Sequence, residues 1–382
     1  MMKKGILLSI LLALVLVISA CGESAEEKAA KTPQGKFVQT MKNGMNVPDQ
    51  YTYTTSFAVN DINVSSTDPS AQTMGILKDI KLSVTTSTDK KANKSEAKFN
   101  VTSTNNLLPI SMDLDFLVDS KTGNAYIPLK TIVEPDASLL SYLDQATGGM
   151  WSKINTDYPD LKNKYLSTEE LTSSLTDQPE AKTAVNTKEI EAASKDLNKK
   201  AIKLTDTYFT GLEKDRFKEA DDGTVSVTIK NADIANLMNQ VAKLMDDEKV
   251  KADFKVIAES QGSDAVTDFD STYAEMKSSL TDAAKELKEN KTYLISNKLT
   301  VKSGKENSLD TLTLQTKIED KSDASAPESI SFTVKTKAEE FVPIEDFPTK
   351  DEVISSEELN KIITDITRKM YGGDMDISGT NY

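Results

Sequence analysis

The chain reads as an α+β protein, an antiparallel sheet whose apolar face is covered by helices. Three observations carry this. Apolar residues alternate with a period of two from Tyr51 to Leu129, and again from Leu299 to Val334. Between these stretches they recur at steps of three and four, the spacing of one helix face. The resulting order of strands, helices, strands and a last helix differs from the strand-helix alternation of a parallel sheet.

The first strand opens at Tyr51, Tyr53, Thr55 and Phe57, which alternate with Thr52, Thr54 and Ser56. Ile80, Leu82 and Val84 mark a second strand, and Phe99 and Val101 a third, after a polar turn at 89–94. The clearest strand is Ile110, Met112, Leu114, Phe116 and Val118, alternating with Ser111, Asp113 and Asp115. Ser120-Lys121-Thr122-Gly123-Asn124 turns the chain, and Ala125 to Leu129 returns. Such alternation implies one buried and one wet face.

The middle is helical. Ser167 and Ser355 each precede a glutamate by three residues, the capping-box spacing. Leu197, Ala201, Leu204, Tyr208 and Leu212 form one apolar stripe, and Ile234, Leu237, Met238, Val241 and Leu244 another. A third is Phe269, Tyr273, Met276, Leu280, Ala283 and Leu287. Val225, Val227 and Ile229 make a short strand between helices. Period two returns at Leu299 and Val301, at Leu312 to Ile318, and at Ile330, Phe332 and Val334. Pro343 and Pro348 end the strands, and 357–370 is a last helix closed by Gly372-Gly373. The last strands are expected to rejoin the sheet begun at Tyr51.

The divisions expected are a leader at 1–20, a flexible tether at 21–36, an N-terminal sheet-forming half at 37–160, a helical insertion at 161–290, C-terminal sheet strands at 291–348, and a helix and tail at 349–382. Lys3 and Lys4 precede an apolar run from Ile6 to Val17, and small residues lead to Cys21, the one cysteine of the chain. The run is shorter than the roughly 18–20 residues that span a bilayer, which argues against an uncleaved anchor. With 46 Lys+Arg against 60 Asp+Glu the formal net charge is −14. That argues against nucleic acid, which needs a basic face, and against lying flat on an anionic membrane. At 38% hydrophobic residues the chain can bury a core, and one cysteine allows no internal disulfide.

Ile18-Ser19-Ala20-Cys21 resembles the bacterial lipobox. The resemblance implies cleavage after Ala20, acylation of Cys21 by diacylglycerol, and a body tied to the extracytoplasmic face of a cell membrane. Other segments resemble the LolA/LppX-like half-barrel lipoproteins: Phe37 to Met41 as a leading helix, Tyr51-Thr52-Tyr53 opening a strand, 119–127 as a central hairpin, and Gly149-Met150-Trp151-Ser152-Lys153-Ile154 as a Gly-x-Trp-x-Lys strand. That resemblance implies a curved antiparallel sheet, a half-barrel with helices on its concave face, here carrying a large central helical insertion. Members carry lipids or lipid-modified molecules, or have no known activity.

Catalytic signals are thin. There is no histidine, which removes Ser-His-Asp, Cys-His and histidine-based zinc chemistry. Ser87-Thr88-Asp89-Lys90 and Lys121-Thr122-Gly123 match S-x-x-K and K-T-G, but at a strand end and in a turn, with no S-D-N between them. Asp374-Met375-Asp376-Ile377-Ser378-Gly379 matches the first half of a calcium loop whose closing glutamate would fall beyond Tyr382. No cofactor, metal or catalytic residue is expected, and the chain is read as non-enzymatic.

Two functions fit this pattern. In the first, the sheet and helices enclose a cavity for a lipid or other small apolar ligand, lined by Ile110, Met112, Leu114, Phe116, Trp151, Phe332 and Val334. In the second, the same face is fully packed and the chain is a non-catalytic envelope scaffold or protein-interaction lipoprotein, its protein partner unknown.

Overall fold

The computed structural model describes residues 32–45, 48–64, 75–105, 110–175, 187–260, 268–290, 292–305, 308–322 and 328–371. The leader, Cys21, Gly372-Gly373 and the acidic C-terminal motif lie outside the described residues.

The first helix of the described residues, α1 (Pro33–Gly44), starts within the stretch that composition reads as tether. Thr32 accepts a hydrogen bond from the Gly35 amide and Pro33 occupies the first turn, where no donor is needed. Strands β1 (Gln50–Asn63), β2 (Ile80–Asp89), β3 (Lys94–Ser103), β4 (Ser111–Asp119) and β5 (Ala125–Pro128) follow. Then come helices α2 (Lys130–Val133), α3 (Ala137–Thr147) and α4 (Met150–Asp157), strand β6 (Tyr165–Ser167), and helices α5 (Thr168–Leu175) and α6 (Thr187–Thr210). Strands β7 (Lys218–Glu219) and β8 (Val225–Lys230) lead to helices α7 (Asn231–Leu244), α8 (Glu248–Ser260) and α9 (Phe269–Glu289). Strands β9 (Tyr293–Ser303), β10 (Leu309–Asp320) and β11 (Glu328–Glu339) and helix α10 (Ser356–Tyr371) complete the described residues.

The strands form one 11-stranded sheet in the order β6-β5-β4-β3-β2-β1-β11-β10-β9-β8-β7. The order is open. β6 and β7 end it and do not pair with each other, so the expected half-barrel is replaced by an open antiparallel sheet. The segment expected as a helical insertion also supplies sheet: Val225 to Lys230 of β8 pair with Val301 to Ser296 of β9. The expected Gly-x-Trp-x-Lys strand is instead helix α4. Gly148 and Gly149 both take positive φ, 66° and 82°, which ends α3 and starts α4 without room for an extended segment. Asp144 then accepts from both the amide and the hydroxyl of Ser152, fixing the first turn of α4.

The chain divides into two units. Unit one comprises residues 1–48, 53–78 and 183–339, and unit two 49–52, 79–182 and 340–382. In unit one, β9 presents Tyr293, Ile295, Asn297, Leu299 and Val301 to one side, and β10 adds Leu312, Leu314, Thr316 and Ile318. Side chains of α1, α6, α7 and α9 fill the space against them: Phe37, Met41, Tyr208, Phe209, Ile234, Met238, Ala284 and Leu287 are all buried in one continuous cluster. Phe37 packs its ring 4.9 Å from Phe209 and 5.4 Å from Phe217. Of the third helical stripe, Tyr273 and Leu287 are buried, whereas Met276 is 44% exposed; α9 packs chiefly on α7. Unit two has its own smaller cluster of Leu129, Val133, Leu161, Ile354 and Ile362.

Candidate functional site

The site that differs from an ordinary packed core is built on β4 of unit two. Its register with β3 sets Met112 opposite Val101, Leu114 opposite Phe99, and Phe116 opposite Ala97. β2 continues the rows, with Leu82 opposite Val101 and Val84 opposite Phe99. The seven large apolar side chains of these rows share one face, because residues two apart on a strand point the same way. All seven are half-buried, and none belongs to either hydrophobic cluster. Phe99 and Phe116 meet edge to face, with ring centroids 5.3 Å apart. Helix α3 follows in the same unit; it buries none of its residues, and Tyr142 on it is 49% exposed.

The opposite face of the same strands is polar at one end and closed at the other. Asp113 is exposed and accepts from Asn100 Nδ2 at 2.7 Å. Asp115 lies opposite Lys98, yet Lys98 makes its ion pair with the buried Glu96 at 3.2 Å. Burial holds the Asp115 carboxyl above the ordinary range; Lys98 opposes this, and Asp113 and Glu345 reinforce it. Leu117, Glu96, Ser87 and Thr52 are buried farther along. The stretch 340–349 closes that end. Val342 donates its amide to Thr52 Oγ1 at 3.0 Å, and Lys94 reaches Asp346 at 2.5 Å with its Nζ 5.4 Å from the Phe347 ring centroid.

The third feature is the strand edge. Ser103 donates its amide to Ile110 O at 2.7 Å, so the even-numbered residues of β4 bond to β3 and the odd-numbered ones face away. On that outer side β5 pairs only with Leu117 and Val118. Among the described residues no strand pairs with Ser111 to Phe116 there. The other end of the sheet is handled differently. β7 pairs with Ser226 and Val225 alone, and Arg216 covers part of the rest of β8 by donating to Thr228 O at 2.5 Å while its guanidinium clamps Asp233 at 2.6 and 2.9 Å.

The sequence-derived cavity residues are distributed as follows. Met112, Leu114 and Phe116 lie together on β4, with Ile110 just before it, and all are half-buried. Phe332 is 5% exposed inside the packed core of unit one, and Val334 packs against that core. Trp151 lies on α4, half-buried, and spends its indole N–H on Ile132 O at 2.8 Å. The expected enclosed lipid cavity is overturned. The unit-one residues are held in a filled core, the β4 residues form a partly buried sheet face in unit two, and the open strand order supplies no barrel wall. Sequence reading passed over Asp113 and Asp115 because they read only as the wet face of a strand; their signal was two carboxylates within the most apolar strand.

The chemistry of the remaining motifs is structural. Ser87 of the S-x-x-K match is buried and shares a hydrogen bond with Thr52 at 2.9 Å. Lys121-Thr122-Gly123 forms the β4–β5 turn, where Asp119 Oδ1 accepts from the Lys121 amide at 2.8 Å and Gly123 has φ 77°. Among the described residues no group of acidic residues is placed to hold a metal ion, and no helix is long and apolar enough to cross a membrane.

No family model, no curated protein and no solved structure matches the chain, so the resemblance to the half-barrel lipoproteins finds no support and that family assignment is withdrawn.

Proposed function

We propose that the chain is a non-catalytic interaction protein that presents the sheet of unit two to a protein partner. The observation that carries this is the contrast between two apolar sheet surfaces of one chain. In unit one, Leu299, Ile318 and Phe332 are sealed beneath helices. In unit two, Leu82, Val84, Phe99, Val101, Met112, Leu114 and Phe116 stand in adjacent rows and are only partly buried, outside either packed cluster. Contiguous apolar surface of that kind is uncommon on a chain that works alone and marks interaction sites. The location is a separate part of the proposal. The pattern from Lys3 to Cys21 supports a tether through acyl chains on Cys21 at the extracytoplasmic face of a cell membrane.

Cross-linking of the full chain in native envelopes, followed by mass spectrometry, tests the interaction. Intermolecular links from Lys81 or Lys98 of unit two are the expected result. A chain that yields only intramolecular links sinks the reading. Cys21→Ala tests the tether: the variant should leave the membrane fraction, and unchanged retention would overturn the acyl anchor.

A further inference from the structure

We propose that the outer edge of β4 receives an extended segment of the partner protein in which apolar residues alternate with lysine or arginine, adding a strand to the sheet of unit two. The proposal rests on the interaction reading above and names its site and partner chemistry. The ladder geometry supplies the first half of the argument. Ser111, Asp113 and Asp115 turn their backbone N–H and C=O groups away from β3, and β5 reaches only Leu117 and Val118. Among the described residues the stretch from Ser111 to Asp115 has no strand partner on that side, and it is roughly 17 Å long at the rise of an extended strand, enough to pair with a short peptide. Strand addition draws its affinity from main-chain hydrogen bonds and its specificity from alternate side chains.

Charge and polarity supply the second half. A strand laid against β4 places every second side chain beside Met112 and Leu114, whose face is half-covered, so apolar residues suit those positions. The intervening side chains fall beside Asp113 and Asp115. Among the described residues neither carboxylate has an ion-pair partner, since Asp113 accepts only from neutral Asn100 and Lys98 is engaged by Glu96. Opposite charges directly across a strand pair stabilise it, and like charges disfavour it. A second copy of this chain is therefore a poor occupant. Two β4 edges paired antiparallel about Leu114 would set Asp113 of one copy opposite Asp115 of the other, on a chain of formal net charge −14.

The test uses the full chain and a short fluorescent peptide alternating valine and lysine, with a valine–glutamate peptide as control, read by anisotropy. Two variants probe separate halves of the argument. Asp113→Pro removes an outward-facing donor and leaves the β3 ladder intact, as edge proline does. The double change Asp113→Lys, Asp115→Lys reverses the charge and keeps every backbone group. Circular dichroism and thermal melting establish that each is folded. The expected result is saturable binding of the valine–lysine peptide, weakened about ten-fold or more by each variant and for the control peptide. No binding up to about 1 mM peptide, or equal binding to all forms, overturns the proposal. So does a wild-type dimer in light scattering that Asp113→Pro dissolves, because a second copy then owns the edge. A partner still cross-linked to unit two in the Asp113→Pro variant overturns this edge while the interaction reading stands.

Discussion

Leu114 and Leu117 are three residues apart on β4 and point to opposite faces. Alternation makes Leu114 the core residue, yet the fold buries Leu117, 3% exposed, and leaves Leu114 half-covered. Leu117→Ala should therefore cost about 2–5 kcal/mol as a buried large-to-small change. Leu114→Ala should cost less, about 1–2 kcal/mol, since its side chain is only partly buried. Urea denaturation with unchanged slope measures both, and equal midpoints for the two variants would show that the Leu114 face is covered. A second residue-scale expectation concerns alkaline pH. Tyr208 is buried and donates its hydroxyl to Asp233 O at 3.2 Å. Burial pushes its phenol far above the ordinary tyrosine range; Asp233 adds to this and Arg216 opposes it. A raised folded-state value stabilises the fold fully below the unfolded value, about pH 10, and that contribution is lost as pH rises through the folded value. Thermal melts on either side of about pH 10 should fall for the wild type and fall less for Tyr208→Phe. Parallel curves would mean that Tyr208 ionises without consequence for folding.

At the scale of elements, the two serine caps were legible and their partners were not. Ser167 Oγ accepts from the Glu170 amide at 3.1 Å, and Ser355 Oγ from the Glu358 amide at 3.2 Å, as the spacing predicts. The glutamate of the first box does not turn back on its own helix. Glu170 Oε2 accepts from the Ser356 amide at 2.8 Å, so one carboxylate serves the start of α10 from the start of α5. That bond joins residues far apart in sequence, which no local spacing can reveal. It also places a negative charge at the N-terminus of α10, where the helix dipole favours it. Ser355→Ala should cost about 1 kcal/mol, and Glu170→Gln should cost part of the same stability. In a double-mutant cycle the two losses should be less than additive, because both act on the first turn of α10. Strict additivity would separate the two caps. The pair Gly148-Gly149 shows the converse failure. Its sequence matched a strand-forming motif, but two consecutive left-handed residues decide the backbone before any side-chain pattern can act.

For the whole molecule, period-two and period-3.6 patterns located the long strands and helices, because those periods follow from local geometry. They did not show which sheet face the helices cover, since helix docking is settled between distant segments. Phe332 and Leu114 carry the same alternating signature, yet one is sealed in the packed core of unit one and the other is only partly buried. The same limit hid the closure of unit two by 340–349, which has no periodicity to read. The two hydrophobic clusters share no residue, and each falls wholly within one unit. Stability should therefore be lost locally. Leu299→Ala removes a fully buried side chain, 0% exposed, from the larger cluster and should raise amide exchange across β8 to β11. Ile354→Ala does the same in the smaller cluster, where Ile354 also donates its amide to Tyr165 O at 2.9 Å. Exchange should then rise in β6 and α10 while β9 and β10 keep their protection. Hydrogen-exchange mass spectrometry on the two variants reads this directly. If either substitution raises exchange uniformly across both units, the clusters unfold as one cooperative body and the division holds for packing alone.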